Sequence, residues 1–63
     1  MNKLYSIDEV SRLLTLSKPT VYRLTSQRRI EFYKIGGRVV FDESQLERFL
    51  ESHAIDSSKE VEK

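Results

Sequence analysis

The sequence predicts a mainly α fold with a small β-hairpin, ordered α-α-β-β-α, and three observations predict it. Two segments of helical periodicity, each opened by a serine cap, lie three residues apart. Downstream, a Gly-Gly pair joins two runs rich in β-branched and aromatic residues. A third capped amphipathic segment follows that hairpin directly. Helix, short turn, helix is the spacing of a helix-turn-helix, and the hairpin behind it makes the arrangement a winged one.

The first helix opens at Ser6-Ile7-Asp8-Glu9, a capping box in which Ser6 accepts from the Glu9 amide and Glu9 reaches back to the Ser6 amide. That first turn also accounts for Asp8 as a capping residue. Tyr5 and Val10 occupy the two positions of a hydrophobic staple. Ile7, Val10, Leu13 and Leu14 recur at helical spacing, predicting a helix over 7–14. Thr15-Leu16-Ser17 interrupts it, with Leu16 as an apolar plug in the turn. Ser17 is a second cap, and Pro19 falls in the first helical turn, where its missing N–H costs little. The second helix is expected over 18–26. At 100° per residue, Val21 and Leu24 point one way, and Pro19, Tyr22, Arg23 and Ser26 the other.

Phe32-Tyr33-Lys34-Ile35 and Arg38-Val39-Val40-Phe41 flank Gly36-Gly37. A type I′ turn needs positive φ at both central residues, so this pair is a strong hairpin signal. A two-residue turn pairs Ile35 with Arg38, Lys34 with Val39, Tyr33 with Val40 and Phe32 with Phe41. Both faces of the ribbon carry apolar groups, which leaves its inward face open. Asp42 with Gln45 is a third cap. Leu46, Phe49 and Leu50 form the stripe of a third helix over 43–53. The organisation expected is one domain over 1–54 and a flexible polar tail over 55–63.

With no cysteine and one histidine, neither a disulfide nor a structural zinc site is available to supplement the core, and no cofactor is expected. No apolar run approaches the roughly 18 residues of a membrane span, and no signal-peptide core is visible, so a cytoplasmic location is expected. The formal net charge of +1 conceals a segregation. Residues 1–41 hold eight basic side chains against three acidic ones, a local +5. Residues 42–63 hold three against seven, a local −4. A basic front and an acidic back orient such a module towards a polyanion.

Four stretches in order, Leu4-Tyr5-Ser6-Ile7-Asp8-Glu9-Val10, Leu16-Ser17-Lys18-Pro19-Thr20-Val21-Tyr22-Arg23-Leu24, Tyr33-Lys34-Ile35-Gly36-Gly37-Arg38 and Asp42 to Leu50, resemble the excisionase-type helix-turn-helix family. That family is a compact relative of the winged DNA-binding domains of MerR-like regulators. The resemblance covers about residues 4–52. It implies binding to double-stranded DNA and, for the excisionases of phages and conjugative elements, bending that directs an integrase towards excision. Other members are small transcriptional regulators. The implied partners are DNA, an integrase or recombinase, and further copies bound cooperatively on DNA; the implied setting is a bacterial, phage or mobile-element protein, nucleoid-associated when bound. One departure stands out: members often carry Gly, or Asp with Pro, where this chain has Gln27-Arg28-Arg29-Ile30-Glu31-Phe32, so that two arginines replace a tight-turn residue and add positive charge between the second helix and the wing.

Within that reading the second helix enters the major groove. Arg23 is the candidate for bidentate guanine contact, with a phosphate contact as the alternative. Ser17 and Lys18 sit at the positive helix end, where phosphate is favoured. Thr20 and Tyr22 offer hydroxyls to phosphate, Tyr22 being alternatively a half-buried core residue. Lys34, Gly36, Gly37 and Arg38 form the wing tip, whose glycines allow close backbone approach while Arg38 reaches a minor groove. Arg28 and Arg29 are candidate phosphate contacts. Glu43, Glu47 and Glu51 form an acidic stripe on the third helix, read as a solvated face or, alternatively, the partner surface of a protein-interaction module. His53 sits near a helix C-terminus, where the dipole favours it. No nucleophile–base pair, phosphate loop or supported carboxylate pair is present, so no enzyme is expected.

Overall fold

Ser6 is where an extended segment becomes a helix. Its hydroxyl accepts from the Glu9 amide at 3.2 Å, and its own amide donates to the Glu9 carboxylate at 2.9 Å. In the computed structural model, which describes residues 3–55, the elements are β1 (Leu4–Ser6), α1 (Ile7–Leu14), α2 (Lys18–Ser26), β2 (Tyr33–Ile35), β3 (Arg38–Asp42) and α3 (Glu43–Ser52). Residues 56–63 of the expected polar tail lie outside the described residues.

α1 ends through Thr15 in the left-handed region, at φ 57°. The Leu16 amide then donates to the Ser11 carbonyl at 2.9 Å, and Leu16 packs half-buried against the core. Ser17 caps α2 by accepting from the Thr20 amide. α2 closes in a Schellman motif: the Arg28 amide donates to the Thr25 carbonyl at 3.1 Å and the Arg29 amide to the Leu24 carbonyl at 2.9 Å. The motif places Arg28 at φ 59°, a conformation glycine adopts more readily.

The hairpin has the expected register, Ile35 with Arg38, Lys34 with Val39 and Tyr33 with Val40. Gly36 and Gly37 both take positive φ, 57° and 82°. The pairing of Phe32 with Phe41 is not part of the ladder, because β2 begins at Tyr33. Phe32 instead sets its ring 6.5 Å from that of Phe41, tilted by 58°. The expected α-α-β-β-α order gains a leading strand. β1 adds antiparallel to the free edge of β3, with Leu4 opposite Asp42, Tyr5 opposite Phe41 and Ser6 opposite Val40, giving a three-stranded sheet in the order β1-β3-β2. The central strand thereby satisfies both of its edges.

The inward face of the ribbon is the one carrying Val39 and Phe41. Phe41 is fully buried, while all three residues of β2 are exposed. The core is Ile7, Val10, Val21, Ile30, Phe41 and Leu46, with Tyr5, Leu14, Leu24 and Phe49 packed around it. Each such side chain contributes about 1.5–3 kcal/mol when fully buried. Ser11 and Thr25, buried polar residues with no part in the apolar pattern, donate to the Asp8 and Tyr22 carbonyls at 2.9 and 2.8 Å. Their hydroxyls are satisfied within their own helices. Asp42 ends β3 and caps α3, in a capping box with Gln45. α3 stops at Ser52, one residue short of expectation, and His53 becomes its C-cap. The His53 ring lies 4.3 Å from that of Phe49.

Candidate nucleic-acid interface

Because Val21 and Thr25 turn into the core, the opposite face of α2 is presented outward. Tyr22 is on that face and 53% exposed, which removes the half-buried alternative. The hairpin folds back beside this face, so that helix and wing bracket a continuous concave surface. At one end Lys18, Tyr22, Gly37 and Arg38 line a depression that also contains Asp8. At the other, Pro19, Tyr22, Arg23, Ser26, Arg28, Phe32, Lys34 and Gly37 line a groove of about 930 Å³. Tyr22, Gly37 and Val39 line both.

Most of the residues picked from sequence thus come together, although they span positions 17 to 38. Ser17 and Thr20 adjoin Arg23 through a chain of hydroxyls: Ser17 Oγ lies 2.9 Å from Thr20 Oγ1, which accepts from Arg23 Nη2 at 3.4 Å. Gly36 forms the wing tip with open space around it. Arg29 sits apart from the groove, in a neighbouring depression with Arg28, Lys34 and Arg48. Phe32 went unrecognised as a groove residue. Its guanidinium neighbour Arg28 stacks over it, 5.6 Å from the ring centroid, an arrangement that needs the turn geometry and leaves no pattern in the sequence.

The electrostatics differ from expectation at one place. Asp8 takes no part in the capping box; its carboxylate binds Lys18 Nζ at 2.8 Å and approaches Arg12 at 3.6 Å. The hydrogen bond from Lys18 and its charge hold the Asp8 carboxyl below the usual carboxylate range, and Asp8 in turn raises Lys18. The charge at the start of α2 is therefore already partnered. By contrast, Arg23, Arg28, Arg29, Lys34 and Arg38 make no ion pair with another described residue, so the α2–wing surface and the turn beside it carry five unneutralised positive charges. Arg48 is absorbed by Glu31, which accepts from its Nε at 2.7 Å and its Nη2 at 2.6 Å. That pair ties α3 to the connection between α2 and β2.

Among the described residues, no group of three or more His, Asp or Glu is placed to hold a metal ion and no helix is long and apolar enough to cross a membrane. The acidic residues Glu43, Glu47 and Glu51 are exposed on α3, an element that lines neither the Lys18–Arg38 depression nor the α2–wing groove.

A family model described as a helix-turn-helix domain matches residues 4–54, most of the chain. No curated protein and no solved structure matches it. Three helices, a hairpin wing folded beside the second helix, and this match agree: the chain belongs to the helix-turn-helix domain family, and its fold is a winged helix-turn-helix, a DNA-binding domain.

Proposed function

We propose that the protein is a non-enzymatic, sequence-specific binder of double-stranded DNA, acting as an excisionase-like directionality factor that binds and bends DNA at attachment sites. The observation that carries the binding is the α2–wing surface, where Tyr22, Arg23, Arg28, Lys34 and Gly37 line one groove and Arg38 adjoins it. α2 enters the major groove and Arg23 reads a base edge. Ser17 and Tyr22 hold phosphates near the start of α2, where Lys18 is shared between phosphate and Asp8, and Arg28, Arg29 and Lys34 hold them further along. Gly36, Gly37 and Arg38 bring the wing to the adjacent minor groove.

The bending role rests on the family resemblance, and size bears on how the sites are occupied. A module this small buries only about 600–1,000 Å² on DNA. Effective occupancy then calls for repeated sites, cooperative copies or a recombinase partner. A small transcriptional regulator would use the same surface at a promoter instead.

Binding to duplex DNA should weaken steeply between 50 and 200 mM salt, with a log–log slope of about −0.9 per phosphate neutralised. A circular-permutation gel shift should show a bend that Arg38→Ala reduces. The absence of any salt-sensitive shift at micromolar protein refutes DNA binding; an Arg38→Ala complex with an unchanged bend removes the wing from the mechanism. Selection of bound genomic fragments separates the roles, since attachment repeats favour excision and a promoter operator favours regulation.

A further inference from the structure

Three polar side chains on the first turns of α2 are linked in one chain of hydrogen bonds. Arg23 Nη2 lies 3.4 Å from Thr20 Oγ1, and Thr20 Oγ1 lies 2.9 Å from Ser17 Oγ. A guanidinium has donors only. Thr20 Oγ1 therefore accepts from Arg23, and the hydrogen between Thr20 Oγ1 and Ser17 Oγ can come from either hydroxyl. Ser17 Oγ also accepts from the Thr20 amide at 3.3 Å. Ser17 stands at the helix end where an anion is favoured by dipole and free amides together.

We propose that Thr20 is a positioning residue: it holds the Arg23 guanidinium ready for base reading, and does not itself contact phosphate. The inference rests on the reading of α2 as the DNA-facing helix. An arginine side chain has many rotamers to lose on binding, and a restraint already present in the free protein reduces that loss for the one geometry it favours. A phosphate that accepts the one Ser17 hydrogen makes Thr20 the donor between the two hydroxyls, and hydrogen bonds in such a chain polarise one another, so the phosphate strengthens the hold of Thr20 on Arg23. Base reading and phosphate contact at the start of α2 become coupled through two hydroxyls. Thr20 thus affects discrimination between sequences and leaves the number of phosphates neutralised unchanged.

The experiment compares Thr20→Val, which keeps the shape and removes the hydroxyl, with Thr20→Ser, which keeps the hydroxyl. Each is made in the wild-type and Arg23→Ala backgrounds. The probes are the duplex selected by the wild-type chain from random-sequence DNA and a scrambled duplex of equal length. T20V should lower the ratio of selected to scrambled affinity about three- to tenfold, the range for losing one such hydrogen bond. T20S should retain the ratio, the salt slope should be the same for all, and T20V should cost nothing further once Arg23 is alanine. Equal weakening on both duplexes with a shallower salt slope identifies Thr20 as a phosphate contact and overturns the proposal. So does a T20V effect that persists in the Arg23→Ala background, or a T20V ratio equal to wild type. A second measurement needs no variant and no DNA: nitrogen-15 relaxation of the Arg23 side-chain N–H should show a restrained group, and unrestricted motion refutes the positioning. A wild-type chain that binds duplex without preferring any sequence overturns the reading beneath the proposal, and the proposal with it.

Discussion

Arg28 allows a prediction in which backbone strain and side-chain function separate. It occupies the left-handed position of the Schellman motif that ends α2, at φ 59°. A residue with a Cβ pays about 1–2 kcal/mol for that conformation. Glycine avoids the strain but gives back about 0.4–1 kcal/mol through the greater freedom of the unfolded chain. The balance leaves Arg28→Gly about 0.5–1 kcal/mol more stable than Arg28→Ala. Both substitutions lose the stacking of the guanidinium on Phe32, a contact of about 0.5–1 kcal/mol at an exposed site. The alanine variant is thus destabilised relative to wild type, and the glycine variant nearly level with it. For a domain of this size about 1 kcal/mol moves the melting temperature by 4–8 °C, so glycine should melt about 2–8 °C above alanine by circular dichroism. Since neither variant keeps the guanidinium in the α2–wing groove, both should lose DNA affinity to the same extent. An alanine variant that melts at or above the glycine variant refutes the strain argument. Wild-type affinity in either variant removes Arg28 from the interface.

Two further predictions concern carboxylates. Asp8 is held below its ordinary value first by the hydrogen bond from Lys18, and Asp42 first by the Gln45 amide and then by the Tyr33 hydroxyl, which donates to it at 2.8 Å. Their lowered folded-state values mean that the unfolded chain binds more protons as pH falls below about 3.9, the ordinary aspartate value. Their stabilising contribution is complete above that value and is lost as pH falls through the lowered values. Melting temperature followed from pH 6 to 2 should drop in that acid window, and Asp8→Asn should flatten the drop; an identical profile in the variant refutes the assignment. On DNA, Asp8→Asn should release Lys18 and Arg12 from their partner. Binding to non-specific duplex should tighten, its salt slope steepening by about 0.9 for each cation that engages a phosphate. An unchanged slope shows that Asp8 does not restrain these charges.

Much of this protein was legible because much of it is held by contacts three or four residues apart. The caps at Ser6, Ser17 and Asp42, the positive-φ pair Gly36-Gly37 and the outward face of α2 each depend on a few neighbouring residues, so the residue types alone determined helix starts, hairpin register and the side of α2 that carries Tyr22 and Arg23. The tertiary structure decided what depends on elements meeting. Leu4–Ser6 is too short for any periodicity of its own and becomes a strand because the edge of β3 is there to pair with it. The ribbon buries Val39 and Phe41 because the helices lie on that side, a choice that its two apolar faces left undetermined. Asp8 finds Lys18 only through the approach of α1 to α2, and Arg28 comes to rest over Phe32 only once the chain has turned through a left-handed residue. Local hydrogen bonding sets where helices and turns lie. The long-range packing of six buried apolar side chains sets which charges face the groove and which are already neutralised.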